Sequence, residues 1–142
     1  LKLLIEELVR YKKMDTLRML DLGCGTGEVA CNLSAQLLEA LPLMNLVYRG
    51  LDINNNSVAK TQDLLNQLNI NAKVNVGDCF EQENVEDLAK DGVDIVLISH
   101  VVYWGDITNV VNFISTKHPN AVLIFIHQHP FSFLSALREK CK

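Results

Sequence analysis

The chain has 142 residues, of which 49% are hydrophobic, so a single domain of this size can bury a substantial core. Its formal net charge of −4 argues against a broad nucleic-acid interface and against an acidic membrane surface, since both need a basic face. We therefore expect a small-molecule partner, with no nucleic acid and no membrane.

The cysteines and the apolar runs further limit the class of protein to which the chain can belong. The four cysteines include no C-x-x-C pair and no ligand spacing with histidine, so the sequence predicts neither a zinc site nor a disulfide framework, and no other metal site is expected. The expected location is a reducing, cytoplasmic compartment. No apolar run approaches the roughly 20 residues of a membrane-spanning helix. Because the chain begins at Leu1, we expect it to be cut from a longer protein.

The first predicted elements are a helix and a strand. The helix is predicted over residues 2–13, with Leu4, Leu8 and Tyr11 on the stripe that faces the core. A short apolar run predicts the first strand over residues 17–21.

Three alternating glycines follow this strand, in the run DLGCGTG at residues 21–27. The first glycine permits a sharp turn, and the others remove the Cβ atoms that would hold a ligand away from the backbone. The next helix is predicted over residues 27–41 with Thr26 as its N-cap, so its free N–H groups can receive the polar end of a ligand. Its expected core positions lie four residues apart, at Val29, Leu33, Leu37 and Leu41.

The spacing of the glycines decides between two classes of ligand. The dinucleotide fingerprint has its third glycine where this chain has Glu28, whose carboxylate would face a pyrophosphate. A ligand that lacks phosphate and carries a cationic amine suits the pattern better. The run at residues 21–27 resembles the first motif of the class I S-adenosylmethionine-dependent methyltransferases, which implies S-adenosylmethionine as the cofactor. The residues that the resemblance assigns to the methionine end are Asp21, Gly23 and Gly25, and Cys24 and Gly27 join them in the cofactor site.

The second strand, predicted over residues 47–52, ends on an acid beside the glycine turn. A carboxylate at that place can accept hydrogen bonds from both ribose hydroxyls of an adenosine, so Asp52 is the predicted ribose contact. The alternative is that Asp52 only caps the following helix. Ile53 is predicted to lie against the adenine.

A second adenosine-binding segment follows the third strand, which is predicted over residues 72–76 after a helix that carries Val58, Thr61, Leu65 and Leu68. The segment GDCF at residues 77–80 is similar to the adenine-binding segment of the same family. The resemblance implies that Asp78 accepts from the exocyclic amine, that the Cys79 N–H serves a ring nitrogen, and that Phe80 packs on the ring. An ordinary Gly-Asp turn is the alternative.

The fourth strand, predicted over residues 94–100, is almost entirely apolar, as a parallel strand buried on both faces requires. Its end lies where substrates bind in open α/β sheets. Ser99 is assigned to the cofactor, and His100 and Tyr103 are the candidate catalytic residues, with a turn or core role as the alternative. Two other histidines that could accept a proton follow the fifth strand, His127 and His129.

The remaining elements complete an alternating pattern. They are a short helix or loop within residues 81–91, a helix that Asp106 caps, a fifth strand over residues 121–126 and a last helix from about residue 131. Five alternations of strand and helix predict an α/β fold, a doubly wound, mostly parallel sheet with helices on both faces. The family usually adds two further strands, which are missing here. We expect a dimer partner or a larger parent chain to cover the edge at strand five.

These features predict that residues 1–142 form one S-adenosylmethionine-binding domain of a methyltransferase. The resemblance implies transfer of a methyl group by in-line displacement. The run SHVVYW at residues 99–104 lacks the Asn/Asp-Pro-Pro-aromatic turn of enzymes that methylate amides or nucleic-acid bases, which favours a small-molecule acceptor. The alternatives are a module that binds the cofactor or acts as a scaffold without turnover, and an aminopropyltransferase.

Overall fold

The computed structural model describes residues 1–99, 101 and 104–126, in which helices and strands alternate along the chain. The helices are α1 (Lys2–Lys12), α2 (Glu28–Ala40), α3 (Asn55–Gln67), α4 (Gln82–Ala89) and α5 (Thr108–Lys117). The strands are β1 (Thr16–Leu22), β2 (Asn45–Asp52), β3 (Asn71–Val76), β4 (Ile95–Ser99) and β5 (Val122–Ile126). The predicted last helix lies outside the described residues.

The strands form one sheet in the order β3-β2-β1-β4-β5, and every neighbouring pair is parallel. The chain builds the sheet outwards from β1 in one direction and then returns to continue from β4 in the other. This reversal confirms the predicted doubly wound fold. Ligands bind in such sheets at the carboxyl ends of the strands beside the reversal, which here are the ends of β1 and β4.

Each face of the sheet carries its own apolar core, because alternate residues of a strand point to opposite faces. Met19 and Tyr48 belong to the core that also contains buried residues of α1, α2 and α3. Leu20 and Val96 belong to the core that contains buried residues of α4 and α5. The interior strand β4 is buried along its whole length, as the sequence predicts. β5 lies at the edge of the part of the sheet that the structure describes.

The predicted buried face of α1 is correct at Leu8, which is partly buried against the core, and wrong at Leu4 and Tyr11. Leu4 is 58% exposed and Tyr11 is 88% exposed, whereas Ile5 and Val9 are buried. Two apolar stripes run along this helix, one residue apart. Helical periodicity alone cannot choose between them, and packing against the rest of the fold selects the stripe of Ile5 and Val9.

The start of α2 also differs from the prediction. Its N-cap is Gly27, with no side-chain cap hydrogen bond, so the expected capping by Thr26 is wrong. Val29, predicted to face the core, is 47% exposed, and Ala30 is buried in its place. Leu33 and Leu37 are buried as predicted, because Ala30, Leu33 and Leu37 follow a spacing of three and four residues.

Where the sequence predicts an end of an element within the described residues, the structure agrees to within two residues. Val58, Thr61 and Leu65 are buried in α3 as predicted, and Leu68, the C-cap of this helix, is partly buried against the core. Asp106 accepts a hydrogen bond from the Thr108 backbone N–H at 2.9 Å and so satisfies a free donor at the start of α5. Among the described residues, no helix is both long enough and apolar enough to cross a membrane.

Candidate functional site

A cavity of about 640 Å³ opens at the carboxyl ends of the central strands. Its volume lies within the range typical of sites for small molecules and cofactors. All eleven residues that the sequence assigns to a cofactor line this cavity, from Asp21 in β1 to Ser99 in β4. The candidate catalytic residues His100 and Tyr103, and the alternatives His127 and His129, lie outside the described residues.

The glycine turn is attached to the end of β2 by three hydrogen bonds. The backbone N–H groups of Gly23 and Cys24 donate to the Leu51 carbonyl at 2.7 and 3.1 Å. The Gly25 N–H donates to Oδ2 of Asp52 at 2.9 Å. The turn and the acid that the sequence places separately in the chain therefore form one wall of the cavity.

Asp52 does not serve as the cap of α3. Asn54 has that role, because its side chain accepts from the Ser57 N–H at 3.1 Å. Oδ1 of Asp52 accepts instead from the Asn54 N–H at 2.8 Å. Each carboxylate oxygen has two acceptor positions, so Asp52 retains acceptor capacity on the cavity side after both backbone bonds are made.

Each glycine of the turn meets a different requirement, although all three have positive φ, at 75°, 56° and 80°. A Cβ on Gly23 would overlap the side chain of Val101, and a Cβ on Gly27 would lie 2.8 Å from Oγ1 of Thr61. A Cβ on Gly25 would meet nothing within 4 Å. Gly25 is therefore the glycine that leaves the backbone open to a ligand. At Gly27 the missing side chain makes room for Thr61.

Thr61 supports the turn from below, a role that the sequence analysis missed. Its hydroxyl donates to the Gly25 carbonyl at 2.8 Å, and the residue is fully buried. The helical pattern identified Thr61 only as a core position of α3. A polar residue among apolar neighbours on that face was the available signal, because a buried hydroxyl needs a hydrogen-bond partner.

Asp21 is a buried carboxylate with one oxygen bonded. It is 3% exposed, and Oδ2 accepts from the Tyr48 hydroxyl at 2.7 Å. Among the described residues, Oδ1 has no hydrogen-bond partner. Burial raises the pKa of Asp21 from 3.8 to about 6, the Tyr48 hydrogen bond lowers it, and the charge of Asp52 raises it. Keeping Asp21 ionised at pH 7 therefore costs the fold about 3 kcal/mol.

The cavity's two cysteines are neutral thiols. Burial, followed by the charges of Asp21 and Asp52, raises the pKa of Cys24 to about 12. Burial and the charge of Asp78 raise the pKa of Cys79 to about 11. Neither side chain is therefore an activated nucleophile, since the thiolate is the reactive form. Within the part of the chain that the structure describes, no group of three His, Cys, Asp or Glu residues could hold a metal ion.

The segment after β3 forms a fixed turn at the other side of the cavity. Oδ1 of Asp78 accepts from the Phe80 N–H at 2.9 Å, and the Asn84 side chain donates to the Asp78 carbonyl at 3.0 Å. The Phe80 ring lies against Gly105, where a Cβ would be 3.0 Å from the ring. Asn84, which the sequence did not single out, thus holds the turn that presents Asp78 and Phe80.

Comparison with known proteins identifies the family. A family model described as "Methyltransferase domain" matches residues 13–129. The chain belongs to the methyltransferase domain family. Its membership confirms the resemblance that the glycine motif carries. No curated protein sequence matches the chain closely enough to count as a relative.

Several solved structures share the fold at low sequence identity. The PH0226 protein of Pyrococcus horikoshii OT3 is 19% identical with a TM-score of 0.59, and the match covers 97% of this chain and 57% of that protein. Precorrin 8w decarboxylase of Methanobacterium thermoautotrophicum is 20% identical with a TM-score of 0.63, and the match covers 98% of this chain and 69% of that protein. A methyltransferase of Thiobacillus denitrificans in complex with S-adenosylhomocysteine is 16% identical with a TM-score of 0.59, and the match covers 96% of this chain and 53% of that protein. The chain thus spans between half and about two thirds of these proteins.

The residues around the cavity fit the cofactor that this family implies. S-adenosylmethionine carries an ammonium, a ribose diol and an adenine. The cavity has a buried carboxylate oxygen without a described partner at Asp21, acceptor capacity at Asp52, and an aromatic ring at Phe80. The open backbone at Gly25 adds room for a ligand against the turn.

The glycine turn generates a stability prediction. Gly25→Ala should lower the free energy of unfolding by about 1–2 kcal/mol, the usual cost of an L-residue at positive φ. Gly27→Ala should cost at least about 1 kcal/mol more, because its Cβ also meets Thr61. Urea denaturation without ligand measures both values.

A double variant isolates the contact. In a background of Thr61→Ala, the additional cost of Gly27→Ala should fall towards that of Gly25→Ala. Equal costs of Gly25→Ala and Gly27→Ala in the wild-type background would contradict the role assigned to Thr61.

Proposed function

We propose that this chain binds S-adenosylmethionine in the cavity at the carboxyl ends of β1, β2 and β4 and that it belongs to an active methyltransferase. The observation that carries the proposal is the hydrogen bond between the Gly25 N–H and Asp52 Oδ2, at 2.9 Å. It joins the acid that would bind a ribose to the turn that would receive the amino-acid end. The two predicted halves of the site therefore act on one ligand.

Asp21 would hold the cofactor's ammonium. Its carboxylate is buried beside the glycine turn and pays a desolvation cost when it is ionised without a positive partner. An ammonium within reach would offset this cost, which makes the site selective for a cationic ligand over a neutral one. Gly23 and Gly25 would complete the methionine end through their backbone.

Asp52 would accept hydrogen bonds from the ribose hydroxyls, and the turn after β3 would hold the adenine. Asp78 would bind the exocyclic amine and Cys79 would contribute its backbone N–H. Phe80, which is already fixed against Gly105, and Ile53, which is 75% exposed at the cavity, supply apolar surfaces for the two faces of the base.

When bound, S-adenosylmethionine supplies a methyl group on a sulfonium, which a nucleophile can displace in line. The chain's own contribution is to hold the cofactor and acceptor in line, which can provide about 7–11 kcal/mol of the barrier. The raised pKa of Cys24 keeps this thiol neutral and weakly nucleophilic, so it does not compete for the methyl group. Ser99 lies at the end of β4 on the same cavity. The catalytic roles of His100 and Tyr103 remain predictions.

We propose a small molecule as the methyl acceptor. The acidic net charge of −4 disfavours a nucleic acid. Two apolar side chains that line the cavity are exposed and available to an acceptor. Trp104 is 80% exposed and Val29 is 47% exposed. Such surfaces suit an apolar or cationic organic molecule.

A second candidate is a module that binds the cofactor without turnover. The cavity contains all the residues assigned to the cofactor, whereas the candidate catalytic residues His100 and Tyr103 lie outside the described residues. Binding of the cofactor therefore has support from the described geometry that turnover does not yet have.

The ribose contact can be tested by calorimetry with a paired ligand. S-adenosylhomocysteine should bind the wild type about 100- to 10,000-fold more tightly than its 2′,3′-dideoxy analogue, since the analogue lacks two hydrogen bonds to a charged group that contribute about 1.5–3 kcal/mol each. In Asp52→Ala the two ligands should bind with similar affinity. The exposed carboxylate of Asp63 on α3 gives a matched control, and Asp63→Ala should retain the wild-type ratio.

The paired ligand separates recognition from support of the turn, because loss of the Gly25 bond would weaken both ligands equally. An unchanged ratio of the two affinities in Asp52→Ala would refute the ribose assignment. This conclusion would hold even if Asp52→Ala binds both ligands weakly.

The acceptor class can be tested by transfer of a labelled methyl group. We expect labelling of at least one member of a panel of amines, carboxylic acids and phenols, and no labelling of RNA or of unfolded protein. Asp52→Ala should reduce the rate at subsaturating cofactor. Binding of S-adenosylhomocysteine without any transfer would favour the non-catalytic module, and transfer to RNA alone would contradict the small-molecule proposal.

A further inference from the structure

Tyr48 occupies an unusual position for a tyrosine, in the middle of β2 with no exposed surface. In the parallel pairing of β1 and β2, Tyr48 is opposite Met19 and Gly50 is opposite Asp21. Residues two apart on a strand point to the same face, so Tyr48, Gly50 and Asp21 share one face of the sheet. Along the direction of the strands, Tyr48 therefore lies two residues before the level of Asp21.

Gly50 leaves the space that the tyrosine ring needs in order to extend from β2 to Asp21. A Cβ on Gly50 would lie 2.9 Å from Cε1 of Tyr48 and 3.2 Å from its hydroxyl oxygen. The ring thus lies over the glycine and extends towards the carboxyl end of β1. Any larger residue at position 50 would displace the ring, because Val74 closes the other side, at 3.2 Å from the same Cβ position.

The Tyr48 hydroxyl reaches Asp21 and donates a hydrogen bond to its Oδ2 at 2.7 Å. This bond occupies one carboxylate oxygen inside the core and fixes the rotation of the carboxylate. Oδ1 then remains as the oxygen without a partner among the described residues, in a residue that lines the cavity. A buried hydroxyl that only filled space would be replaced at little cost by phenylalanine, whereas this one bonds a group of the site.

We propose that Tyr48 is a positioning residue that orients Asp21 to receive a ligand ammonium and extends ammonium recognition to lower pH. The inference rests on the proposed function, since the ammonium belongs to the proposed cofactor. It adds a residue that contacts no ligand and acts only through Asp21.

The pH dependence follows from the groups around Asp21. Burial raises the pKa of Asp21 to about 6, Tyr48 lowers it by donating to the charged form, and Asp52, at the end of β2, raises it. The two nearby thiols stay neutral, because burial raises the pKa of Cys24 to about 12 and also raises that of Cys31 on α2. Burial, then the charge of Asp21, raises the pKa of Tyr48, which therefore remains a donor.

The direction of the pH dependence is set by the form of Asp21 that attracts a cation. Only the carboxylate does, so the preference for an ammonium ligand falls as the pH falls through the pKa of Asp21. Removal of the Tyr48 hydroxyl destabilises the carboxylate further. The loss of preference then begins at a higher pH.

The experiment compares two ligands across pH by calorimetry. S-adenosylhomocysteine carries the ammonium, and its deamino analogue has hydrogen in that place. The variants are wild type, Tyr48→Phe and, as a matched control, Tyr11→Phe, whose ring is 88% exposed on α1. The affinity ratio of the two ligands is measured between about pH 5 and pH 7, where Asp21 titrates and the α-amino group of the ligand, with an ordinary pKa near 8, stays protonated.

We expect the wild-type ratio to fall with a midpoint that reflects Asp21. Tyr48→Phe should reduce the ratio about tenfold at pH 7 and raise its midpoint by about one pH unit. Tyr11→Phe should match the wild type. Gly50→Ala, which displaces the ring without removing the hydroxyl, should change the ratio in the same direction as Tyr48→Phe.

A ligand-free measurement keeps the test decisive if affinities are low in a variant. Carbon NMR of the Asp21 carboxyl should show a higher titration midpoint in Tyr48→Phe than in the wild type. A ratio and an NMR midpoint unchanged by Tyr48→Phe would overturn this inference while leaving the proposed function intact. Failure of the wild type to bind S-adenosylhomocysteine at any pH would instead contradict the proposed function, and the inference with it.

Discussion

The hydrogen bond from the Gly25 N–H to Asp52 is the interaction on which the site depends. Parallel strands bring their carboxyl ends to the same edge of a sheet, but they do not by themselves fix the loops beyond that edge. Here the carboxylate at the end of β2 accepts from the turn after β1 and, through its other oxygen, from the Asn54 N–H at the start of α3. Two loops and a helix start are thereby fixed around a single side chain. Thr61 adds a second support from α3, through its bond to the Gly25 carbonyl.

The second constraint is electrostatic. A carboxylate buried with one bonded oxygen is costly in a ligand-free fold, and the pKa of Asp21, raised to about 6 by burial, expresses that cost. Sites with such shifts are candidates for function, because a ligand of opposite charge recovers the energy. The Tyr48 hydroxyl stabilises the carboxylate in part, and Gly50 provides the space that lets the hydroxyl reach it. The fold thus keeps Asp21 ionisable with no cationic partner among the described residues.

Much of the fold and of the site could be predicted because the decisive signals are local in sequence. The glycine run and the acid at the end of β2 are each readable within a few residues, and the alternation of strands and helices fixed the fold class. Leu4 on α1 and Val29 on α2 were wrongly predicted to face the core, because each has an apolar neighbour, Ile5 or Ala30, that is buried instead. Only tertiary packing separates them. Tyr48 and Thr61 were missed for a different reason, since their partners lie 27 and 36 residues away and depend on strand register and helix placement.

The most direct test of the central claim is a crystal structure of the chain grown with S-adenosylhomocysteine. The account predicts the ribose hydroxyls at hydrogen-bond distance from Asp52, about 2.5–3.2 Å, and the ammonium within reach of Asp21, with the Gly25 bond to Asp52 retained. A ligand bound away from the glycine turn, or a ribose turned away from an Asp52 that still holds Gly25, would contradict it.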